Sequence, residues 1–99
     1  MLVVREVLNC KPGKVRQMVE NFTTISAALQ KMGRPPLTLM TDVTGEAFWT
    51  LVVEAHVETV DEFFEMERTL MANESIQKQM SGYHDMVQSG RREVYRIEG

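Results

Sequence analysis

Ala47-Phe-Trp-Thr-Leu-Val-Val-Glu-Ala-His-Val57 is the longest β signal in the chain, and its two faces decide the fold. Successive side chains on a strand point to opposite faces. The odd positions Ala47, Trp49, Leu51, Val53, Ala55 and Val57 are all apolar and read as the face packed on helices. The even positions Phe48, Thr50, Val52, Glu54, His56 and Glu58 mix apolar with ionisable groups. A face turned to bulk water seldom carries both a Phe and a Val on one central strand, so burial on both sides is expected.

Working outward, Leu37 to Val43 reads as a strand, with Thr44-Gly45-Glu46 as the turn of a hairpin. Residues 2 to 9 form another strand, with Leu2, Val4 and Leu8 on one face and Val3 and Val7 on the other. Lys11-Pro12-Gly13-Lys14 breaks it. Val15, Met18, Phe22, Ile25, Leu29 and Met32 then recur at spacings of three and four, with Val19 widening the stripe. That is one face of a helix, closed by Gly33 and stopped by Pro35-Pro36. Thr59-Val60-Asp61-Glu62 has the capping-box pattern and opens a second helix, expected to bury Val60, Phe63, Phe64, Leu70 and Met71. The period slips at Ala72-Asn73-Glu74-Ser75 and resumes as Ile76, Met80, Tyr83 and Val87, which predicts a break. Ser89-Gly90 is read as its end, and Arg91 to Glu98 as a charged edge strand.

The expected architecture is a single α+β domain over residues 1–99, in ferredoxin-like βαββαβ order. Its four-stranded antiparallel sheet has both helices on one face. One helical layer covers only one side of a sheet. Each large apolar side chain buried on the other side gains roughly 1.5–3 kcal/mol. Sheet-to-sheet pairing in a homodimer is therefore the expected partner interaction.

Composition narrows the function. With 11 basic and 14 acidic residues the net charge is −3, which offers no general attraction for nucleic acid or an anionic membrane. No apolar run approaches the roughly 20 residues of a membrane span, and Arg5 and Glu6 interrupt the segment where a secretion signal would need its apolar core. A cytoplasmic location is expected. The single cysteine, Cys10, rules out an intrachain disulfide. His56 and His84 are the only histidines and their separation fits no metal motif, so no metal is expected. His56-Val57-Glu58 resembles the H-x-E of zinc deaminases, but no P-C-x-x-C follows. His84, between Tyr83 and Asp85, reads as the solvated end of a helix, the methionines as core filler, and Trp49 as a core residue.

Glu54 and His56 point the same way from one strand, and form the catalytic candidates if that face lines a space between paired sheets. An imidazole suits acid–base work because it ordinarily titrates near neutral pH. A carboxylate sealed there needs a partner, and Arg5 or Arg96 could supply it. The plainer reading is a structural ion pair at the dimer interface. Phe48, Thr50 and Val52 share the face and are candidate ligand-binding residues.

The element order, together with Cys10-Lys11-Pro12-Gly13-Lys14, Trp49 to Thr59 and Ser89 to Arg96, resembles the dimeric α/β-barrel superfamily. The resemblance spans nearly the whole chain and is one of pattern. It implies two ferredoxin-like subunits packed sheet against sheet. That superfamily holds cofactor-free monooxygenases of the antibiotic-biosynthesis type, haem-degrading oxygenases, NIPSNAP-like proteins and small isomerases. Asn9 matches the strand-one Asn of the haem-degrading branch and joins the ligand-binding candidates. The Trp and His of that branch have no counterparts, so haem degradation is excluded. The resemblance implies a cofactor-independent monooxygenase or isomerase acting on a small aromatic or hydrophobic molecule. The alternative is a non-catalytic dimer for ligand binding or interaction.

Overall fold

β1 (Leu2–Cys10) and β3 (Thr50–Val57) run antiparallel through the middle of a four-stranded sheet of order β2-β3-β1-β4, with β2 (Thr38–Thr41) and β4 (Val87–Arg96) at its edges. A computed structural model describes all residues, 1–99. Every neighbouring pair is antiparallel. The helices α1 (Val15–Lys31), α2 (Val60–Met71), α3 (Glu74–Gln79) and the short α4 (Tyr83–Met86) complete the expected order. None is long and apolar enough to cross a membrane.

The core lies between the sheet and the helices, in two clusters. One gathers Val4, Ala55 and Val57 under Ile25, Leu29, Phe63, Met66, Leu70 and Ile76. The other joins Leu8, Cys10, Leu51 and Val53 to Met18 and Met86. The stripe on α1 works as its spacing predicts, except that Met32 has become the exposed C-cap. Asn21 was not anticipated inside: it is buried, and its Oδ1 accepts a hydrogen bond from Gln79 Nε2 at 2.7 Å, tying α3 to α1.

The second helical region corrects the expected burial. Phe63, Met66 and Leu70 form its inward stripe, whereas Val60, Phe64 and Met71 are exposed. Positions 63, 66 and 70 keep helical spacing on one face, and 60, 64 and 71 fall on its flanks. Thr59 Oγ1 accepts the Glu62 N–H at 3.1 Å, but the Glu62 carboxylate reaches the N–H of Glu58, at 2.8 Å, rather than that of Thr59. The predicted break is present. Asn73 Oδ1 takes the N–H groups of Ser75 and Ile76, capping α3.

β3 begins at Thr50 rather than Ala47. The hairpin loop extends through Trp49, whose φ of 61° lies in the left-handed region that side chains other than glycine rarely adopt. Four hydrogen bonds hold the turn: Thr50 N–H to Asp42 Oδ1, Asp42 N–H to the Thr50 carbonyl, Thr50 Oγ1 to the Ala47 carbonyl, and Cys10 N–H to the Trp49 carbonyl. Ala47 and Trp49 are thereby released from the helix-packed face, Trp49 stands exposed, and Phe48 is 84% exposed. Ser89-Gly90 also departs from its reading as a terminator, because β4 starts at Val87 and runs through it. Gly90 pairs with Leu8, and a Cβ there would come within 3.1 Å of the leucine side chain.

The far face of the sheet is less apolar than the alternation implied. Val3 and Val7 are buried, but Arg5, Glu54, Arg91 and Glu93 share that face as ion pairs.

Candidate functional site

Close packing fails in one place between the sheet and the helices. A cavity of about 410 Å³ is floored by Val4, Val53 and Ala55 and walled by Phe22, Phe63, Met66, Leu70 and Met80, among others. Of the 18 residues around it, 14 are hydrophobic, so the interior offers a ligand almost no hydrogen bonds. An unfilled closed void costs about 24 cal/mol per Å³, which for 410 Å³ approaches the whole stability of an ordinary domain, roughly 5–15 kcal/mol. The space is sustainable because it opens outward.

The four remaining residues are Glu6, Glu67, His84 and Arg92, joined by the hydroxyl of Tyr83, and the partly exposed side chains of Glu6, Glu67 and Arg92 mark the solvent side of the cavity as its opening. Arg92 lies on β4 opposite Glu6 of β1, facing the helices. It donates to Glu6 through Nε at 2.7 Å and to Glu67 of α2 through Nη2 at 2.7 Å and Nη1 at 3.5 Å. Its guanidinium also stands over the Phe63 ring, 4.8 Å from the centroid. Burial works against this charge, but hydrogen bonding and attraction from Glu6 and Glu67 outweigh it and hold Arg92 above its ordinary value. Tyr83 and His84 pack edge to face with centroids 5.5 Å apart. Burial first, and the Glu6 charge second, push the Tyr83 phenol up, so it remains a hydrogen-bond donor at neutral pH.

The residues singled out from sequence lie on the other side of the sheet. Asn9, Thr50, Val52 and Glu54 line a wider, more polar groove of about 780 Å³ beneath the β2–β3 loop. Glu54, its side chain 14% exposed, accepts a 2.7 Å bond from Arg5 Nε. Arg5 in turn sits over Tyr95, 5.2 Å from the ring centroid. The bond to Glu54 is the main reason the Arg5 guanidinium lies above its ordinary value. Asn9 Nδ2 donates to Ser89 Oγ at 3.0 Å. Phe48 stands out on the loop, and His56, exposed opposite Val3, is outside the groove lining. The structure thus gathers four of the six candidates and leaves Phe48 and His56 apart.

Sequence reasoning missed Glu6, Glu67 and Arg92. A signal did exist: Glu6 lies between Val4 and Leu8 on the helix-facing side of β1, where a lone carboxylate demands a partner.

Cys10 is buried near this region, and its burial pushes the thiol above the ordinary 9.0. An unfolded chain ionises the thiol first, so the stability due to its burial is complete below the ordinary value and declines as pH rises through the folded one. Urea midpoints measured from neutral to alkaline pH should fall less for Cys10→Ala than for the parent.

No protein-family model and no curated protein matches the chain. Solved structures do. An uncharacterised NIPSNAP domain protein from Burkholderia xenovorans superposes with TM-score 0.80 at 13% identity, covering 100% of this chain and 96% of its own. A NIPSNAP family protein from Agrobacterium tumefaciens gives 0.81 at 12% identity, covering 97% and 84%. An antibiotic-biosynthesis-monooxygenase-like protein from Deinococcus radiodurans gives 0.68 at 11% identity, covering 100% and 94%. At such identities the likeness is one of fold: the chain has the ferredoxin-like α+β fold that NIPSNAP proteins share with monooxygenase-like proteins of antibiotic biosynthesis.

Proposed function

We propose that the protein binds a small hydrophobic or aromatic molecule in the cavity between sheet and helices, its polar end at the Glu6–Glu67–Arg92 opening. The observation that carries this reading is the cavity itself: about 410 Å³, with 14 of its 18 lining residues hydrophobic and its charged groups, Glu6, Glu67 and Arg92, partly exposed to solvent. Small-molecule sites have this build, with volumes of roughly 300–1,000 Å³ and few polar groups. The test is titration of the purified protein with 2-naphthol, followed by the ligand's fluorescence and by calorimetry. Saturable binding at one site per chain is expected. Absence of saturation up to the solubility limit would remove the proposal.

One neighbour of the same fold bears the name of an antibiotic-biosynthesis monooxygenase, and on that likeness we extend the proposal to turnover of the bound molecule, with simple carriage as the alternative. Oxygen uptake with phenolic substrates distinguishes the two. The alternative placement of chemistry, on Glu54 and His56 of the far face, has weaker geometry because Arg5 already holds Glu54 and His56 stands clear of the groove. Under that placement His56→Ala abolishes turnover; under ours turnover survives the change.

We also propose that a second copy covers the far face. Met40 and Tyr95 stand exposed there beside Val3 and Val7, and the hairpin loop adds Phe48. Light scattering should report twice the 11.4 kDa chain mass at micromolar concentration, and a stable particle of single-chain mass would refute the pairing.

A further inference from the structure

We infer that the cavity selects against anionic ligands and takes uncharged or cationic aromatic molecules, an inference that rests on the binding role proposed above and names its ligand class. The opening holds two carboxylates, Glu6 and Glu67, for one guanidinium, Arg92. All three nitrogens of that guanidinium already donate to these carboxylates. A ligand carboxylate could reach only the second hydrogens of Nη1 and Nη2, and there it would lie beside two carboxylates that already outnumber the guanidinium, with apolar side chains rather than further donors around it.

The neighbouring arginine gives no relief, because Arg91 faces the opposite side of the sheet and is paired with Glu93. The remaining polar groups at the opening are the Tyr83 phenol and the His84 imidazole. A hydroxyl or amine can hydrogen-bond to Tyr83 or to either carboxylate without separating the existing pairs. A ligand cation would also add to an arrangement already in use, since Arg92 itself lies over the Phe63 ring. Charge balance and geometry favour the same class.

The test compares three probes with one aromatic body: 2-naphthol, 2-naphthylmethylamine and 2-naphthoate. Dissociation constants are measured by calorimetry at low ionic strength in one buffer for all three probes. The naphthol and the amine should bind at least about tenfold more tightly than the naphthoate, as expected for a like charge brought within several ångströms of an excess carboxylate. Glu67→Gln, which brings the opening to charge balance, should narrow the gap, and added salt should do the same. Equal or tighter binding of the naphthoate by the parent protein overturns the charge selection while leaving the binding role in place. If none of the three binds, both fall together. The comparison on the parent protein stands whether or not the variant folds.

Discussion

Leu51→Ala is expected to lower folding stability by about 2–5 kcal/mol, the range for large-to-small changes at fully buried sites. Leu51 is 0% exposed, near the start of the central strand β3, and opposes Leu8 on β1 while packing in one cluster with the α1 residue Met18. The β1–β3 ladder fixes Leu8 opposite it, and Met18 is itself fully buried on α1, so relaxation into the vacated space is limited. In a domain of this size each kcal/mol lowers the melting temperature by about 4–8 °C, so thermal denaturation should show a fall of about 8 °C or more. Phe48→Ala is the contrasting change. Only three residues away, that ring is 84% exposed within the subunit, and its removal should move the single-chain stability by no more than about 0.5 kcal/mol. A large loss for Phe48→Ala at high protein concentration that disappears on dilution would show the ring covered by a second copy.

Ala55→Phe should move stability and binding in opposite directions. Ala55 lies on the cavity floor, on the helix-facing side of β3, so a benzyl group there extends into unfilled volume. Cavity filling commonly stabilises by about 0.5–2 kcal/mol. The same ring occupies the ligand's place, and 2-naphthol affinity should fall by at least about a hundredfold, or about 2.8 kcal/mol at about 1.4 kcal/mol per factor of ten. Chemical denaturation and calorimetry on the one variant check both effects. Undiminished affinity in a folded Ala55→Phe protein would assign binding to the far-face groove, where Thr50, Val52 and Glu54 lie.

Much of this architecture could be read from local pattern. The α1 stripe, the cap at Thr59, the break at Asn73 and the element order follow from periods of 3.6 and 2 and from short-range capping chemistry, which involve residues close in the chain. The shared face of Thr50, Val52 and Glu54 was legible for the same reason, Asn9 entered only through the family resemblance, and Arg5 was among the two partners that sequence could offer Glu54.

What the sequence alone determined is which residues alternate and where helices start and stop, because backbone sterics and hydrogen-bond closure act over a few residues. Tertiary structure alone decided where the alternation ceases to be a strand: Trp49 looks like one more inward residue until Asp42 and Cys10 hold its turn from elsewhere in the fold. It alone also assembled the opening of the cavity. Arg92 meets Glu6 across a separation of 86 residues and Glu67 across 25, contacts that exist only because β1 lies between β3 and β4 with α2 above them. The cavity has no sequence signature for a related reason. Its lining residues are ordinary core side chains, and the unfilled space depends on how far the helices stand from the sheet.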